Sequence, residues 1–63
     1  MYPAERHKWL VTTARDEGRV SVTQASERLG VVPETIRRDL DVLTSRGLLT
    51  RVHGGAIPAG FDL

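Results

Sequence analysis

The sequence predicts a mainly α fold completed by a small β-hairpin. Three observations carry this expectation. The breakers Pro3, Gly18, Gly30, Pro33 and Gly47 divide residues 3–47 into three segments suited to helices. Within the third segment Ile36, Leu40 and Leu43 recur at i, i+4 and i+7, the spacing of one helix face. Beyond it, Leu48–Val52 and Ala56-Ile57 flank a His53-Gly54-Gly55 turn, and two adjacent glycines supply the positive φ angles a hairpin turn needs.

Pro3 opens the first helix, where its missing N–H is an orphan in any case. The helix runs to Glu17, and Gly18 stops it. Leu10 and Ala14, with Trp9 and Thr13 beside them and Arg6 flanking, make one narrow inward stripe. Trp9 reads as a core or half-buried packing residue and His7 as a solvated one. Arg19-Val20-Ser21-Val22 alternates apolar and polar, which suits a very short strand. Thr23 is the expected N-cap of a second helix, Gln24–Leu29, with Ala25 and Leu29 inward and Gly30 at its end. Val31-Val32 is an extended link. The third helix is expected from Pro33 to Arg46, closed by Gly47. At ~100° per residue, Glu34 and Arg38 oppose its apolar face, with Thr35 and Arg37 on the two shoulders. Helix, short strand, two helices joined by a tight turn and a hairpin make the order of a winged helix-turn-helix.

Composition narrows the function classes. The chain has 63 residues, enough for one small domain, and no Cys, so neither disulfides nor Cys-based zinc can staple it. His7 and His53 are too far apart in sequence to form a tetrahedral metal site without several carboxylates. No cofactor is expected. An enzyme fails on inventory: there is no Cys, no His pair with a nearby nucleophile and no pocket-sized core. Apolar runs are too short for a membrane span, and no basic stretch leads into an apolar core, so a cytoplasmic protein is the default. Nine Lys+Arg against eight Asp+Glu leave a net charge of only +1. The type of cation says more, because all but Lys8 are Arg, the residue suited to bidentate phosphate or guanine recognition.

Two blocks, Thr35-Ile36-Arg37-Arg38-Asp39-Leu40 and Arg51-Val52-His53-Gly54-Gly55-Ala56, resemble the amino-terminal domain of DeoR-type bacterial transcriptional repressors. Gly18–Val22 and Gly47-Leu48-Leu49 support the resemblance, which runs from Arg6 to Ala56. It implies a winged domain over residues 1–57 whose partner is double-stranded operator DNA. Residues 58–63 would begin a linker to a larger domain, absent here, that senses a sugar phosphate or similar metabolite and supplies most of the oligomerisation. The implied function is repression of sugar or carbon metabolism genes by occupancy of an operator. Two departures from the family pattern stand out. Val31-Val32 replaces a Val-Ser pair whose Ser can cap the third helix, and Ala25-Ser26 replaces Leu-Ala, which thins the core between helices two and three.

Each candidate residue carries a functional and a structural reading. Arg37 and Arg38 either reach guanine and phosphate in a major groove, or form a solvated face with Arg38 paired to Glu34 or Asp41. Thr35 suits a base or phosphate contact, or a local hydrogen bond. Glu34 suits cytosine N4, or the positive helix end. Asp39 reads as structural, paired with Arg46 or Arg51 and fixing the wing to the helix. Arg51, His53, Gly54 and Gly55 form the wing, which either approaches the DNA backbone or is an ordinary hairpin turn. Arg19, Ser21 and Thr23 lie where a second-helix N-terminus suits a phosphate. The alternative function is a docking module whose Arg face meets an acidic protein. DNA binding calls for Arg37, Arg38 and Arg51 on one face unmasked by Glu34, Asp39 and Asp41; docking calls for an exposed apolar patch.

Overall fold

The computed structural model describes residues 1–60. The elements are α1 (Pro3–Glu17), β1 (Val20–Ser21), α2 (Val22–Leu29), α3 (Pro33–Ser45), β2 (Leu49–Val52) and β3 (Gly55–Pro58). Their order is the expected winged helix-turn-helix. The strands form an antiparallel sheet in the order β1-β3-β2, so the last strand is the central one.

Ten buried residues form the core, and every element contributes: Leu10 and Ala14 from α1, Val20 from β1, Val22 and Ala25 from α2, Ile36, Leu40 and Leu43 from α3, Leu49 from β2, Ala56 from β3. Trp9, Val11, Leu29 and Val31 pack around it half-buried. The i, i+4, i+7 stripe of α3 is thus its core face, as its spacing predicts. Ala25, the expected thin spot, is fully buried where α2 meets the rest of the core.

Two helix starts decide where the α2–α3 unit sits. The cap of α2 is Ser21 and not Thr23: the Gln24 N–H donates to Ser21 Oγ at 3.1 Å. The cause is tertiary. Val20 pairs with Ala56 and Ser21 with Gly55, and the Val22 N–H donates to the Gly54 carbonyl at 2.9 Å. Once β1 is fixed on β3 the chain turns at Val22, two residues before local propensity places the helix. Gly30, Val31 and Val32 then connect α2 to α3, with Gly30 at φ 68°. Val32 caps α3 at φ −71° and ψ 151° without a side-chain hydrogen bond, and Pro33 sets the first turn, as expected from Val in place of Ser.

The hairpin corrects the expectation about its glycines. Its loop is His53-Gly54, between the paired Val52 and Gly55. Of the two glycines, Gly54 alone takes a positive φ, 74°. Gly55 is required for a different reason: a Cβ there would collide with the Val20 carbonyl oxygen and stand 3.3 Å from Ser21 Cα. The close approach of β1 needs the missing side chain.

Pro58, expected in the linker, is buried at the end of β3 opposite Leu49. β1 has ended by that point, so no neighbour there asks for the N–H that Pro lacks. The rest of that expected segment, residues 61–63, lies outside the described residues.

Candidate nucleic-acid interface

Helix α3 divides its polar side chains by depth. Glu34, Arg37, Arg38 and Asp41 are exposed, Thr35 is half-buried and Asp39 is buried. The expected pairing of Arg38 is not the one observed. Arg37 Nη1 lies 3.5 Å from Glu34 Oε1, one helical turn back. Arg38 has no ion-pair partner among the described residues.

Arg51, on β2, reaches across to the same turn of α3. Its Nη1 donates to the Arg37 carbonyl at 3.4 Å and to Asp41 Oδ1 at 3.3 Å. One side chain therefore ties the hairpin to the helix that carries the two arginines. The hairpin tip is held elsewhere. The His53 carbonyl accepts from Arg19 Nη2 at 3.3 Å, and the Gly54 carbonyl accepts from Val22 N–H. His53 and Gly54 are exposed, whereas Gly55 is buried. Direct contacts thus join Arg37, Arg51 and Asp41 in one group, and His53 and Gly54 to Arg19 and α2 in another. Ser21, weighed as a phosphate contact, instead caps α2 with its hydroxyl.

Asp39 is structural, as expected, but with other partners. It pairs with neither Arg46 nor Arg51. Arg6 Nε donates to Oδ2 at 2.6 Å and Arg6 Nη2 to Oδ1 at 3.1 Å, while His7 Nε2 lies 3.0 Å from Oδ1 and donates there. Asp39 sits one residue before Leu40 and three after Ile36, on the flank of the core face that meets α1. Arg51 lies instead beside the exposed turn at Asp41. His7, expected to be solvated, is half-buried in this cluster. Burial pushes the Asp39 carboxyl up, but the hydrogen bonds from Arg6 and His7 and the charges behind them outweigh it and hold the group below the usual carboxylate range. The same hydrogen bond raises the Arg6 guanidinium above its ordinary value.

The cluster removes one of the three α3 carboxylates from the surface. Arg37, Arg38 and Arg51 remain on the exposed side with Glu34 and Asp41, so two of the three guanidinium groups are occupied by carboxylates in the free domain. Sequence reasoning missed Arg6 and His7. The signal available was that Arg6 lies four residues before Leu10, on the α1 stripe that faces the core. Among the described residues there is no group of three metal-binding side chains, and no helix is long and apolar enough to cross a membrane.

Comparison with known proteins agrees with this geometry. The family model of the DeoR-like helix-turn-helix domain matches residues 6–59. The transcriptional regulator GlpR of Haloferax volcanii is 48% identical over 58 residues, covering 92% of this chain and 23% of that protein. The glycerol-3-phosphate regulon repressor of Escherichia coli is 39% identical over 56 residues, 89% of this chain and 22% of its own length. The L-fucose operon activator of Haemophilus influenzae is 38% identical over 52 residues, 82% of this chain and 21% of its own length. The chain therefore spans less than a quarter of the length of these relatives. No solved structure gives a significant match. With the matched region running from the Arg6 that anchors α3 to the end of the hairpin, the chain belongs to the family of DeoR-like helix-turn-helix domains.

Proposed function

We propose that this chain is the DNA-reading domain of a transcriptional regulator of carbon-metabolism genes, acting by occupancy of an operator. The carrying observation is Arg38, exposed and without an ion-pair partner among the described residues, next to Arg37 on the side of α3 opposite its core. In this reading α3 enters a major groove. Arg38 and Arg37 bind guanine O6/N7 or phosphate; from the first turn Thr35 reaches a base or the backbone, and Glu34 accepts from a cytosine N4. Arg51, tied to the Arg37 carbonyl and Asp41 in the free domain, positions the hairpin and offers its guanidinium to a neighbouring phosphate. His53 and Gly54 at its exposed tip approach the neighbouring backbone, and Gly55 acts from inside by letting β1 approach.

The parts of the whole protein beyond this domain carry the finer assignments. A following domain that binds a sugar-phosphate-like effector shifts the population of operator-competent arrangements. Oligomerisation links two or more reading domains, so that the second contact is effectively intramolecular. The glycerol-3-phosphate and fucose systems named for two of the relatives support carbon metabolism as the setting, and a reader of genomic DNA in such a cell works in the cytoplasm. The docking-module alternative calls for an exposed apolar patch; among the described residues the exposed large hydrophobics are Met1, Tyr2, Val32 and Leu48.

A salt titration tests the reading. Fluorescence anisotropy on random duplexes, and on duplexes selected by the domain from a randomised pool, gives binding in the range of ~10⁻⁴–10⁻⁶ M that weakens as salt rises. Arg38→Ala lowers affinity for the selected duplex by ~1–3 kcal/mol if it reads a base, and acts evenly on both duplexes if it holds a phosphate. Undiminished binding by the Arg37→Ala/Arg38→Ala double variant refutes the assignment of α3.

A further inference from the structure

We infer that Glu34 and Asp41 are specificity-determining residues of the reading face: their carboxylates occupy Arg37 and Arg51 in the free domain and suppress binding to DNA of the wrong sequence. This inference rests on the DNA reading above. The fold treats the three α3 acids differently. Asp39 is buried with its own donors, Arg6 and His7, which take no part in the exposed face. Glu34 and Asp41 stay exposed, 3.5 Å from Arg37 and 3.3 Å from Arg51.

Both ion pairs are at the surface. The side chains are 53% and 68% exposed for Arg37 and Glu34, and 32% and 73% for Arg51 and Asp41. Pairs of this kind are weak, so a phosphate or a guanine edge displaces the carboxylate readily. The displaced carboxylate nevertheless stays on the same turns of α3, facing the duplex. At ~7 Å in water, repulsion between it and a phosphate is about RT, roughly threefold in affinity for each carboxylate. The repulsion is relieved only where the groove offers a donor. Cytosine N4–H₂ and adenine N6–H₂ are donors there, whereas guanine O6 and N7 and thymine O4 are acceptors. Wrong sequences therefore retain the repulsion, and a matching one turns it into a hydrogen bond. Unlike phosphate contacts, which strengthen binding to all DNA alike, these two acids widen the gap between right and wrong duplexes.

The experiment uses the 63-residue chain and the Glu34→Gln, Asp41→Asn and double variants, with circular dichroism to establish that each is folded. Asp16→Asn, on the last turn of α1, changes net charge equally and serves as the control. Anisotropy is read on a random duplex and on one selected by the wild type from a randomised pool, over a range of salt. The expected result is a gain of about threefold on the random duplex for each single variant and about tenfold for the double variant. The salt slope steepens by up to ~0.9 for each Arg released to a phosphate. The selected duplex gains less, so the specificity ratio falls. Unchanged or weaker random-duplex binding in both single variants overturns the inference, as does an equal gain from Asp16→Asn. Loss on the selected duplex alone for Glu34→Gln makes Glu34 a simple base reader and overturns the inference for that residue. A folded wild type that binds neither duplex at low salt overturns the DNA reading and the inference with it.

Discussion

Asp39→Ala removes all three hydrogen bonds that join α1 to α3 through a side chain, and it leaves the Arg6 guanidinium without its carboxylate. Removing one partner of a buried charged pair costs ~3–5 kcal/mol. The Arg6 side chain keeps 14% of its exposure and His7 keeps 19%, so water recovers part of the loss and the lower end applies, about 3 kcal/mol. At ~0.05–0.15 kcal/mol per residue, a domain of this length holds only ~3–9 kcal/mol in total. The variant should therefore melt roughly 12–24 °C below the wild type, or be partly unfolded at room temperature. Urea unfolding followed by far-UV circular dichroism, with Trp9 fluorescence as a second probe, gives the number directly. An Arg6→Met/Asp39→Leu double variant separates lost packing from stranded charge. It should recover most of the stability, because both charges leave together. A loss below about 1 kcal/mol for Asp39→Ala, or a double variant as damaged as the single one, would refute the role assigned to the cluster.

Other expectations follow from the same contacts. The Asp39 carboxyl lies below its unfolded value of ~3.9, so the unfolded chain binds more protons between the two values. Its stabilisation is whole above about pH 5 and is lost as pH falls through the folded value; acid unfolding should steepen there in the wild type and flatten in Asp39→Ala. Gly55→Ala drives a Cβ into the Val20 carbonyl and should cost about 3 kcal/mol. Gly54→Ala strains only φ and should cost ~1–2 kcal/mol, and the opposite ranking in urea would contradict the close approach of β1. Val32→Ser provides the hydroxyl that the α3 N-terminus lacks and should raise stability by ~0.5–2 kcal/mol in the same assay.

What the sequence made legible was local. Ile36, Leu40 and Leu43 announce the core face of α3 by spacing alone, and the same period puts Arg37 and Arg38 outside it. The helix stops at Gly18 and Gly30 follow from residue type, and both glycines take the left-handed conformation. What was not legible depends on residues far apart in the chain. Thr23 is as good a cap as Ser21 by propensity, and only the pairing of β1 with β3 chooses between them. Gly54-Gly55 looks like a turn pair until Val20 is placed against the second glycine. Asp39 needed a cation, and Arg46 and Arg51 were the nearby candidates. The partners used, Arg6 and the imidazole donor of His7, sit on a helix whose angle to α3 no local pattern encodes. The exposed pairs Arg37–Glu34 and Arg51–Asp41 were beyond periodicity as well, since it offers several partners at similar reach.

The pairing of Val20 with Ala56 also has a kinetic meaning. During synthesis α2 and α3 leave the ribosome before the strand that fixes the start of α2 exists. Contacts of such long range form late and make folding all-or-none in a chain this small. The start of α2, and with it the α2–α3 turn, is therefore fixed only when β3 arrives. A nascent chain halted before Gly55 would carry every α3 side chain and still lack the pairing that sets the start of α2. A mutational screen for lost DNA binding would accordingly return Val20, Asp39 and Gly55 beside the arginines, and a urea melt of each would tell the two groups apart.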